Sequence, residues 1–513
     1  MLKKICKFIS DQSGSMTLFV VLTFTTMIAF AGIAIDVARY EASRAEIQTH
    51  LDNATLAAAS LRQTEDASVI VDRYMVAAGL DVKYDVVALN EVNSITYRHI
   101  EAQATSNMDT FFMHMFGVSD LDLVVRSAAQ ERVPHVEVSL VLDISGSMGN
   151  GGRLTNLKPA AVSFVTNLLD ANDADNPNRV SISLIPYNMQ VNAGETLFEL
   201  VTGDENSDHD YSYCAEWDEQ AFEETGFSVS RMDQAVHMGY SNSDDYTDTS
   251  GYGTTVGYLT SPYCRPETFA EITPWSKDLN ALTTQINNLQ ARGNTSIDLG
   301  VKWGTALLDS SAQPVLTALA GMWETNAETG EVTATNRQAV DPGFIGRPVV
   351  SGDEVTLKVL VVMTDGQNTT QYRVKNSYTS NTANSPVWIN RSTEAVSFNF
   401  ESGSSWDRMS WTEMWGRVSV KGYTRRKGGK WWHFWDYHLN NSEKNDRLSD
   451  ICAAAKDNQI IVFSIAYSAS EDGQDALEDC ATSSAYYHEG DPETIGGIFA
   501  EIGGVIEKLK LVQ

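Results

Sequence analysis

The chain has 513 residues, which is enough for two or three domains rather than one. Hydrophobic residues make up 42% and charged residues 20% of the sequence, a globular composition that excludes wholesale disorder and a polytopic membrane protein. Asp and Glu number 67 against 37 Lys and Arg, and the net charge of −30 argues against a nucleic-acid partner because an acidic surface repels polyphosphate.

The first element in chain order is an uncharged apolar stretch. No charged residue occurs between Gln12 and Ile35, and residues 16–35 form a helix of roughly 30 Å, the thickness of a bilayer's hydrocarbon core. Lysines at positions 3, 4 and 7 place residues 1–15 in the cytoplasm and the rest of the chain outside. A cleavable signal peptide begins in the same way, but here the apolar run is longer. We therefore predict an uncleaved transmembrane helix at 16–35.

Residues 36–133 are predicted to form a small α+β module next to the membrane. An apolar stripe at helical spacing extends the first helix, and a second helix ends before Gly79. The stripe consists of Ile47, Leu51, Ala54, Ala58 and Leu61. From residue 80 the pattern alternates, as in Val82–Val86 and Ser94–Tyr97, which predicts a few strands. A packing and assembly role follows, since nothing in this module is typical of a catalytic site.

Residues 134–513 show short apolar runs that alternate with helical patterns. The apolar runs are 136–142, 180–185, 357–363 and 460–466, and the helical patterns are 158–169, 279–289, 297–308 and 447–456. Such runs are typical of strands buried on both faces of a parallel sheet. The order predicts a doubly wound α/β domain with a mostly parallel sheet, interrupted by long insertions at about 190–275 and 367–442.

Four cysteines lie in the part predicted to be exported. They are Cys214, Cys264, Cys452 and Cys480. An even number suggests two disulfides, most simply between the pairs nearest in sequence, Cys214 with Cys264 and Cys452 with Cys480. Four cysteines allow three connectivities, and buried free thiols are the alternative.

The residues with the clearest chemistry follow the predicted strands. Asp143, Ser145 and Ser147 form a D-x-S-x-S motif directly after the first strand, Asp365 follows the strand at 357–363, and Thr295 opens a helical pattern. Loops at the carboxyl edge of such a sheet are where ligands bind. Carboxylate and hydroxyl oxygens suit Mg²⁺ or Mn²⁺. These five residues therefore predict a metal site, the alternative being three ordinary turns that contain these residue types by chance.

In this order the five residues resemble the metal-ion-dependent adhesion site (MIDAS) of the von Willebrand factor type A (VWA) family, and residues 134–513 resemble such a domain. The resemblance implies that Asp143, Ser145, Ser147, Thr295 and Asp365 bind Mg²⁺ and that a partner protein completes the coordination with an acidic side chain. The insertions are longer than those of a compact VWA domain.

The N-terminal part is similar to TadG-type proteins of bacterial tight-adherence (Flp) pilus systems. The similar segments are residues 11–14, the apolar helix, residues 36–40 and the Ala-rich stretch 54–59. The order of Cys452, a strand, Cys480 and a final helix is also similar to TadG-like proteins with a C-terminal VWA domain. The resemblance implies a role in pilus assembly, with pilin or pilus-assembly proteins as partners.

These features predict a single-pass inner-membrane protein with a cytoplasmic N-terminus and a periplasmic VWA-like domain. A membrane-tethered adhesin or envelope scaffold unrelated to pili is the alternative, and a metal-dependent hydrolase is a more distant one. The sequence contains no G-x-S-x-G, H-E-x-x-H or Walker A motif, and none of its histidines stands in a recognisable catalytic pattern. No enzymatic activity is therefore predicted.

Overall fold

The computed structural model describes residues 15–60, 65–79, 85–93, 97–132, 135–172, 174, 176–203, 208–236, 254–255, 262–325, 332–353, 356–399, 401 and 403–512. Some predicted features lie outside these residues: the basic leader at 1–14, Leu61, Val82–Tyr84 and Ser94–Thr96. The chain forms two compact units, Met1–Val133 and Pro134–Gln513.

The first unit contains two helices and an antiparallel sheet. In chain order its elements are α1 (Ser15–Ala58), α2 (Ala67–Ala77), β1 (Asp85–Asn93), β2 (Tyr97–Asp109) and β3 (Asp120–Arg132). The strands lie in the order β1-β2-β3, with β2 paired to both neighbours. The three strands are long enough, and close enough in sequence, to pair through short connections, as antiparallel strands do.

Helix α1 has two halves with opposite environments. In its C-terminal half Ile47, Leu51 and Ala54 are buried against α2 and the sheet, where they pack with Ile100 and Val125. In its N-terminal half the large apolar side chains are exposed, such as Leu18 at 72% and Phe24 at 64%. Among the described helices α1 is long and apolar enough to cross a membrane.

The second unit is built from many short elements. Its strands are β4 (His135–Asp143), β5 (Val180–Tyr187), β6 (Ala215–Trp217), β7 (Met232–Gln234), β8 (Thr254–Thr255), β9 (Thr273–Ser276), β10 (Trp323–Thr325), β11 (Val332–Ala334), β12 (Thr356–Thr364), β13 (Gln371–Val374), β14 (Asn384–Asn390), β15 (Val396–Ser397), β16 (Trp406–Ser410), β17 (Trp435–Leu439), β18 (Ile461–Tyr467) and β19 (Tyr487–Gly490). Its helices are α3 (Arg153–Leu169), α4 (Glu195–Thr202), α5 (Leu279–Asn288), α6 (Ile297–Ala306), α7 (Gln313–Ala320), α8 (Trp411–Trp415), α9 (Val420–Lys427), α10 (Asn441–Asp457), α11 (Glu471–Cys480) and α12 (Ile495–Val512).

A six-stranded sheet in the order β19-β18-β12-β4-β5-β9 organises this unit. Its neighbours pair in parallel except β9, which pairs with β5 in the antiparallel direction. Helices α6, α7, α10 and α11 cover one face, and α3, α5 and α12 cover the other. The central strands β4, β5 and β12 are almost wholly buried because both faces are covered. The prediction of a doubly wound, mostly parallel α/β sheet is confirmed.

The two insertions join to form a small subdomain. Strand β8 of the first insertion pairs with β15 of the second, which gives a four-stranded sheet β16-β14-β15-β8. Beside it Tyr263 of the first insertion shares an apolar core with Val387 and Trp415 of the second. The aromatic residues of the second insertion thus supply a core of their own.

Both cysteine pairs nearest in sequence are bonded. Cys214 and Cys264 join two parts of the first insertion, with 5.9 Å between their Cα atoms. Cys452 of α10 is bonded to Cys480 at the end of α11, with 5.0 Å between Cα atoms. Each disulfide therefore closes a loop within the second unit, of 50 and 28 residues in sequence separation.

Candidate metal centre

Two neighbouring parallel strands end at the candidate site. Leu142 of β4 lies opposite Met363 of β12, so Asp143 and Thr364 end their strands side by side. The Thr364 hydroxyl donates a hydrogen bond to Asp143 Oδ2 at 2.6 Å. Asp365 follows directly after Thr364, which places a second carboxylate at the same sheet edge.

A continuous run of hydrogen bonds joins the two carboxylates through the serines. Asp143 Oδ1 accepts a hydrogen bond from the Ser145 N–H at 2.7 Å. The Ser145 and Ser147 hydroxyl oxygens lie 3.0 Å apart, and the Ser147 hydroxyl donates to Asp365 Oδ1 at 2.6 Å. The structure therefore brings together Asp143, Ser145, Ser147 and Asp365, four of the five residues predicted from the sequence.

Burial makes the ionised form of this carboxylate pair unfavourable. Burial, followed by the charge of Asp365, raises the pKa of Asp143 to about 7. Burial also raises the pKa of Asp365, although its hydrogen bond from Ser147 and the charge of Arg153 act in the opposite direction. Two buried carboxylates that repel each other are an environment that a divalent cation would relieve.

Arg153 supplies the positive charge that faces this pair. Its Nη1 donates to Asp365 Oδ2 at 3.0 Å and to the Ser147 carbonyl oxygen at 3.4 Å. Arg153 is the first residue of α3, and its side chain is 25% exposed. Because it contacts Oδ2 of Asp365, this guanidinium would compete with a bound cation for that carboxylate.

The loop that carries Thr295 lies against the loop that carries the two serines. The Gly146 N–H donates to the Gly293 carbonyl oxygen at 2.8 Å, and the Arg292 N–H donates to Ile144 O at 2.8 Å. Gly293 has φ of +89°, and a Cβ atom there would lie 2.7 Å from Nδ2 of Asn188. Glycine is therefore required where these two loops meet.

Thr295 itself is positioned through its backbone. Its N–H donates to the Thr369 hydroxyl at 3.0 Å, and its carbonyl oxygen accepts from the Thr369 N–H at 3.0 Å. The same carbonyl oxygen accepts a hydrogen bond from Lys444 Nζ at 3.1 Å. Thr295 is 4% exposed and thus lies beside the serine loop without joining the hydrogen-bonded run described above.

A buried lysine connects the loop that carries Thr295 to the loop that follows Asp365. Lys444, in the first turn of α10, donates to the Thr295 and Thr369 carbonyl oxygens and to the Ser296 hydroxyl. Its Nζ lies 3.5 Å from Oδ1 of Asp298, and both side chains are 0% exposed. Burial lowers the pKa of Lys444, and the Asp298 charge opposes that lowering. The ion pair therefore packs against the Thr295 loop and stabilises its position beside the loop after Asp365.

Sequence patterns indicated only one of the residues that support the candidate site. The set comprises Arg153, Thr364, Asn368, Thr369 and Lys444. Of these, only Thr364 had a local signal, because it stands beside Asp365 at a strand end. Asn368 illustrates the difficulty, since its Oδ1 accepts from the Ile297 N–H at the start of α6, across 71 residues of sequence.

The donor set fits a hard divalent cation. Among the described residues no group of three or more His, Cys, Asp or Glu side chains is placed to hold a metal ion. The candidate site instead combines two carboxylates with hydroxyl oxygens, which suits Mg²⁺ better than a thiol- or imidazole-preferring metal. Gly146 is exposed, and Ser147 and Gly366 are half-buried, so the site opens to solvent.

One comparison with known protein families gives a match, and that match lies in the first unit. Residues 14–61 match the family model described as Flp pilus-assembly TadE/G-like. This match lies wholly within the first unit, on α1 and the residues that precede and follow it. The comparison with curated proteins found no match.

Solved structures with a similar chain path are matched at low identity. The von Willebrand factor domain of the type V pili tip protein Mfa5 from Porphyromonas gingivalis is 14% identical, with a TM-score of 0.33, and 73% of this chain and 96% of that chain are covered. The pilus adhesin SpaC from Lactobacillus rhamnosus GG is 12% identical, with a TM-score of 0.30, and 83% and 34% are covered. Proximal thread matrix protein 1 from the mussel byssus, with a zinc-occupied MIDAS motif, is 9% identical, with a TM-score of 0.27, and 73% and 46% are covered. The fold class of the second unit rests on its own sheet order.

Proposed function

We propose that this chain is a membrane-anchored component of a tight-adherence pilus system that binds a partner protein through a divalent cation. The observation that carries the proposal is the hydrogen-bonded run from Asp143 through both serines to Asp365 at the open edge of the sheet. The match of residues 14–61 to the pilus-assembly family model supports the biological setting. The proposal is one of binding, without catalysis.

Five residues would hold the cation, for which Mg²⁺ is the first choice and Mn²⁺ the second. They are Asp143, Ser145, Ser147, Thr295 and Asp365. When bound, the cation supplies a positive charge and can be ligated by an acidic side chain of a partner. The chain's own part is to hold the serine hydroxyls between two carboxylates, and to keep Thr295 in place through Thr369 and Lys444.

The proposed location is the bacterial inner membrane, with the second unit in the periplasm. The exposed apolar half of α1 supports a single membrane crossing, and Lys3, Lys4 and Lys7 support a cytoplasmic N-terminus. Two disulfides in the second unit support an oxidising compartment for that unit.

The metal site is tested by titrating the detergent-solubilised full chain with Mg²⁺ in a calorimeter. Wild type should show saturable binding, and Asp143→Ala should lose it because the more deeply buried of the two carboxylates is removed. Asp170→Ala is the matched control, since Asp170 is an exposed aspartate at the end of α3 in the same unit. Equal binding by all three proteins would exclude this site.

The partner is tested by co-purification from native membranes, with wild type and Asp143→Ala each in Mg²⁺ and in EDTA. We expect pilin or a pilus-assembly protein to be retained only in the sample that contains wild type and Mg²⁺. The same partners in all four samples would show that the cation does not form the binding surface. Metal-dependent retention of envelope proteins unrelated to pili would instead support a tethered adhesin or scaffold.

A further inference from the structure

An exposed apolar loop projects from the first unit. Residues 111–118, here called the Phe111–Val118 loop, connect β2 to β3 and contain three phenylalanines, two methionines and a valine. Phe111 is 69% exposed, Met115 79% and Phe116 61%. An apolar cluster of this size is costly in water and is typical of a surface that contacts another apolar phase.

The base of the loop is polar and closed. The Thr110 N–H donates to Ser119 O at 3.0 Å, which joins the two ends of the loop. Asp109 and Asp120, immediately outside it, are exposed carboxylates. The change from charged residues at the base to apolar residues at the tip gives the loop an amphipathic character.

Hydrogen bonds attach this loop to one position along helix α1. Asp36, which is 0% exposed, accepts hydrogen bonds from the backbone N–H groups of Phe111 at 3.0 Å, Phe112 at 2.7 Å and Met113 at 2.8 Å. Three donors on one carboxylate form a strong, directional attachment. The Arg39 guanidinium lies 4.2 Å from the centre of the Phe111 ring. The attachment is therefore made by the first charged residues after the apolar run.

The ring of Phe112 reaches one turn further toward the apolar half of α1. A Cβ atom at Gly32 would lie 2.5 Å from Cγ and Cδ1 of that ring, so only glycine leaves room for it. Gly32 precedes Asp36 by four residues, which corresponds to about 6 Å along a helix. The loop thus extends from the charged end of α1 back over the last turn of the apolar segment.

We propose that the Phe111–Val118 loop enters the boundary between headgroups and acyl chains of the same lipid bilayer that α1 crosses. The loop thereby fixes the distance of the first unit from the membrane surface. The inference rests on the proposed membrane anchoring by α1. A depth of one helical turn agrees with the about 5–10 Å that apolar side chains of interfacial elements reach below the headgroups. Lipid is the occupant argued for, because the loop's apolar surface continues that of α1.

The test places a fluorescent label on single cysteines of the full chain in phosphatidylcholine vesicles, with Cys6→Ser as the background. Labels at Met115→Cys, Phe24→Cys and Glu46→Cys report on the loop, the apolar half of α1 and an exposed position ten residues beyond Asp36. Nitroxide lipids with the spin label near the headgroup or at the chain end then quench the label according to its depth. We expect headgroup-level nitroxide to quench Met115→Cys severalfold more than Glu46→Cys.

The Phe24→Cys label separates the two proposals. If Phe24→Cys is quenched by the chain-end nitroxide but Met115→Cys behaves like Glu46→Cys, the loop inference is overturned and the anchoring stands. If Phe24→Cys is not quenched, the anchoring fails and the loop inference fails with it.

A second pair of variants tests the contact that sets the height. Gly32→Leu should displace the Phe112 ring and reduce quenching at Met115→Cys, while Ala31→Leu, at an exposed neighbour on the same turn, should leave it unchanged. Equal quenching in both backgrounds would overturn the role assigned to Gly32 and Phe112.

Discussion

Replacing Lys444 by methionine should destabilise the second unit and loosen the candidate metal site together. The lysine is completely buried, forms an ion pair with Asp298 at 3.5 Å, and donates to the Thr295 and Thr369 carbonyl oxygens at 3.1 and 3.2 Å. Methionine fills a similar volume but supplies neither the charge nor the hydrogen bonds. Asp298 would then remain buried without its nearest positive charge.

The size of the effect follows from the cost of an uncompensated buried charge. Removing one partner of a buried ion pair costs about 3–5 kcal/mol. We expect the lower end, about 3 kcal/mol, because Asp298 also interacts with the buried Arg447. A second substitution, Asp298→Asn, should recover part of the loss in the Lys444→Met background, since it removes the stranded charge.

Tryptophan fluorescence measures this effect in the second unit alone. All 11 tryptophans lie between residues 217 and 435, so urea unfolding of the full chain in detergent reports on that unit. Lys456→Met is the matched control, because Lys456 is on the same helix, is only half-buried and donates to one carbonyl oxygen, Asp479 O, at 2.8 Å. The reasoning is refuted if the two substitutions have the same effect, or if Asp298→Asn adds to the loss from Lys444→Met.

Three further predictions follow from single observations. Because burial raises the pKa of Glu137 to about 7 from 4.5, the folded state holds a proton on this group that the unfolded chain releases; Glu137 should therefore contribute a fall of about 3 kcal/mol in the free energy of unfolding as pH rises between those values, and Glu137→Gln should reduce the total fall by that amount in urea titrations. Replacing Cys452 and Cys480 by serine opens a loop of 28 residues and should lower the free energy of unfolding by about 3–4 kcal/mol, and a loss below 1 kcal/mol would contradict this. Arg153→Met removes a positive charge 3.0 Å from Asp365 and should tighten Mg²⁺ binding by about tenfold in calorimetry, whereas weaker binding would show that the arginine supports the site.

The central part of the fold was predictable from local patterns. The strands β4, β5, β12 and β18 are continuous apolar runs because both of their faces are covered, and each run is visible without knowledge of its neighbours. The edge strands β9 and β19 were not predicted, because they are only four residues long and β19 is half-exposed. A short strand at an edge carries no apolar run that would distinguish it from a loop.

The candidate site also contains residues that were predictable from the sequence and residues that were not. Asp143, Ser145 and Asp365 stand next to predicted strand ends, and parallel neighbours in one sheet end at one edge, so their proximity follows from the strand pattern. Arg153 and Lys444 belong to helices whose sequence pattern does not distinguish a lysine or arginine facing solvent from one that is buried. Their roles arise from contacts across 212 and 149 residues of sequence.

Local sequence patterns were enough to predict which segments are buried, that the first helix begins with a long apolar run, and where carboxylates and hydroxyls follow strands. These properties are local, because periodic burial leaves its pattern in a single segment. Three other features depend on the chain path: Asp36 accepts hydrogen bonds from the backbone of the Phe111–Val118 loop, the two insertions share one core, and Lys444 is buried behind Thr295. These contacts could not be predicted because hydrogen bonds and ion pairs join segments that are distant in sequence. Side chains of the same type also occur at the surface or in the core, according to the groups that the fold places beside them.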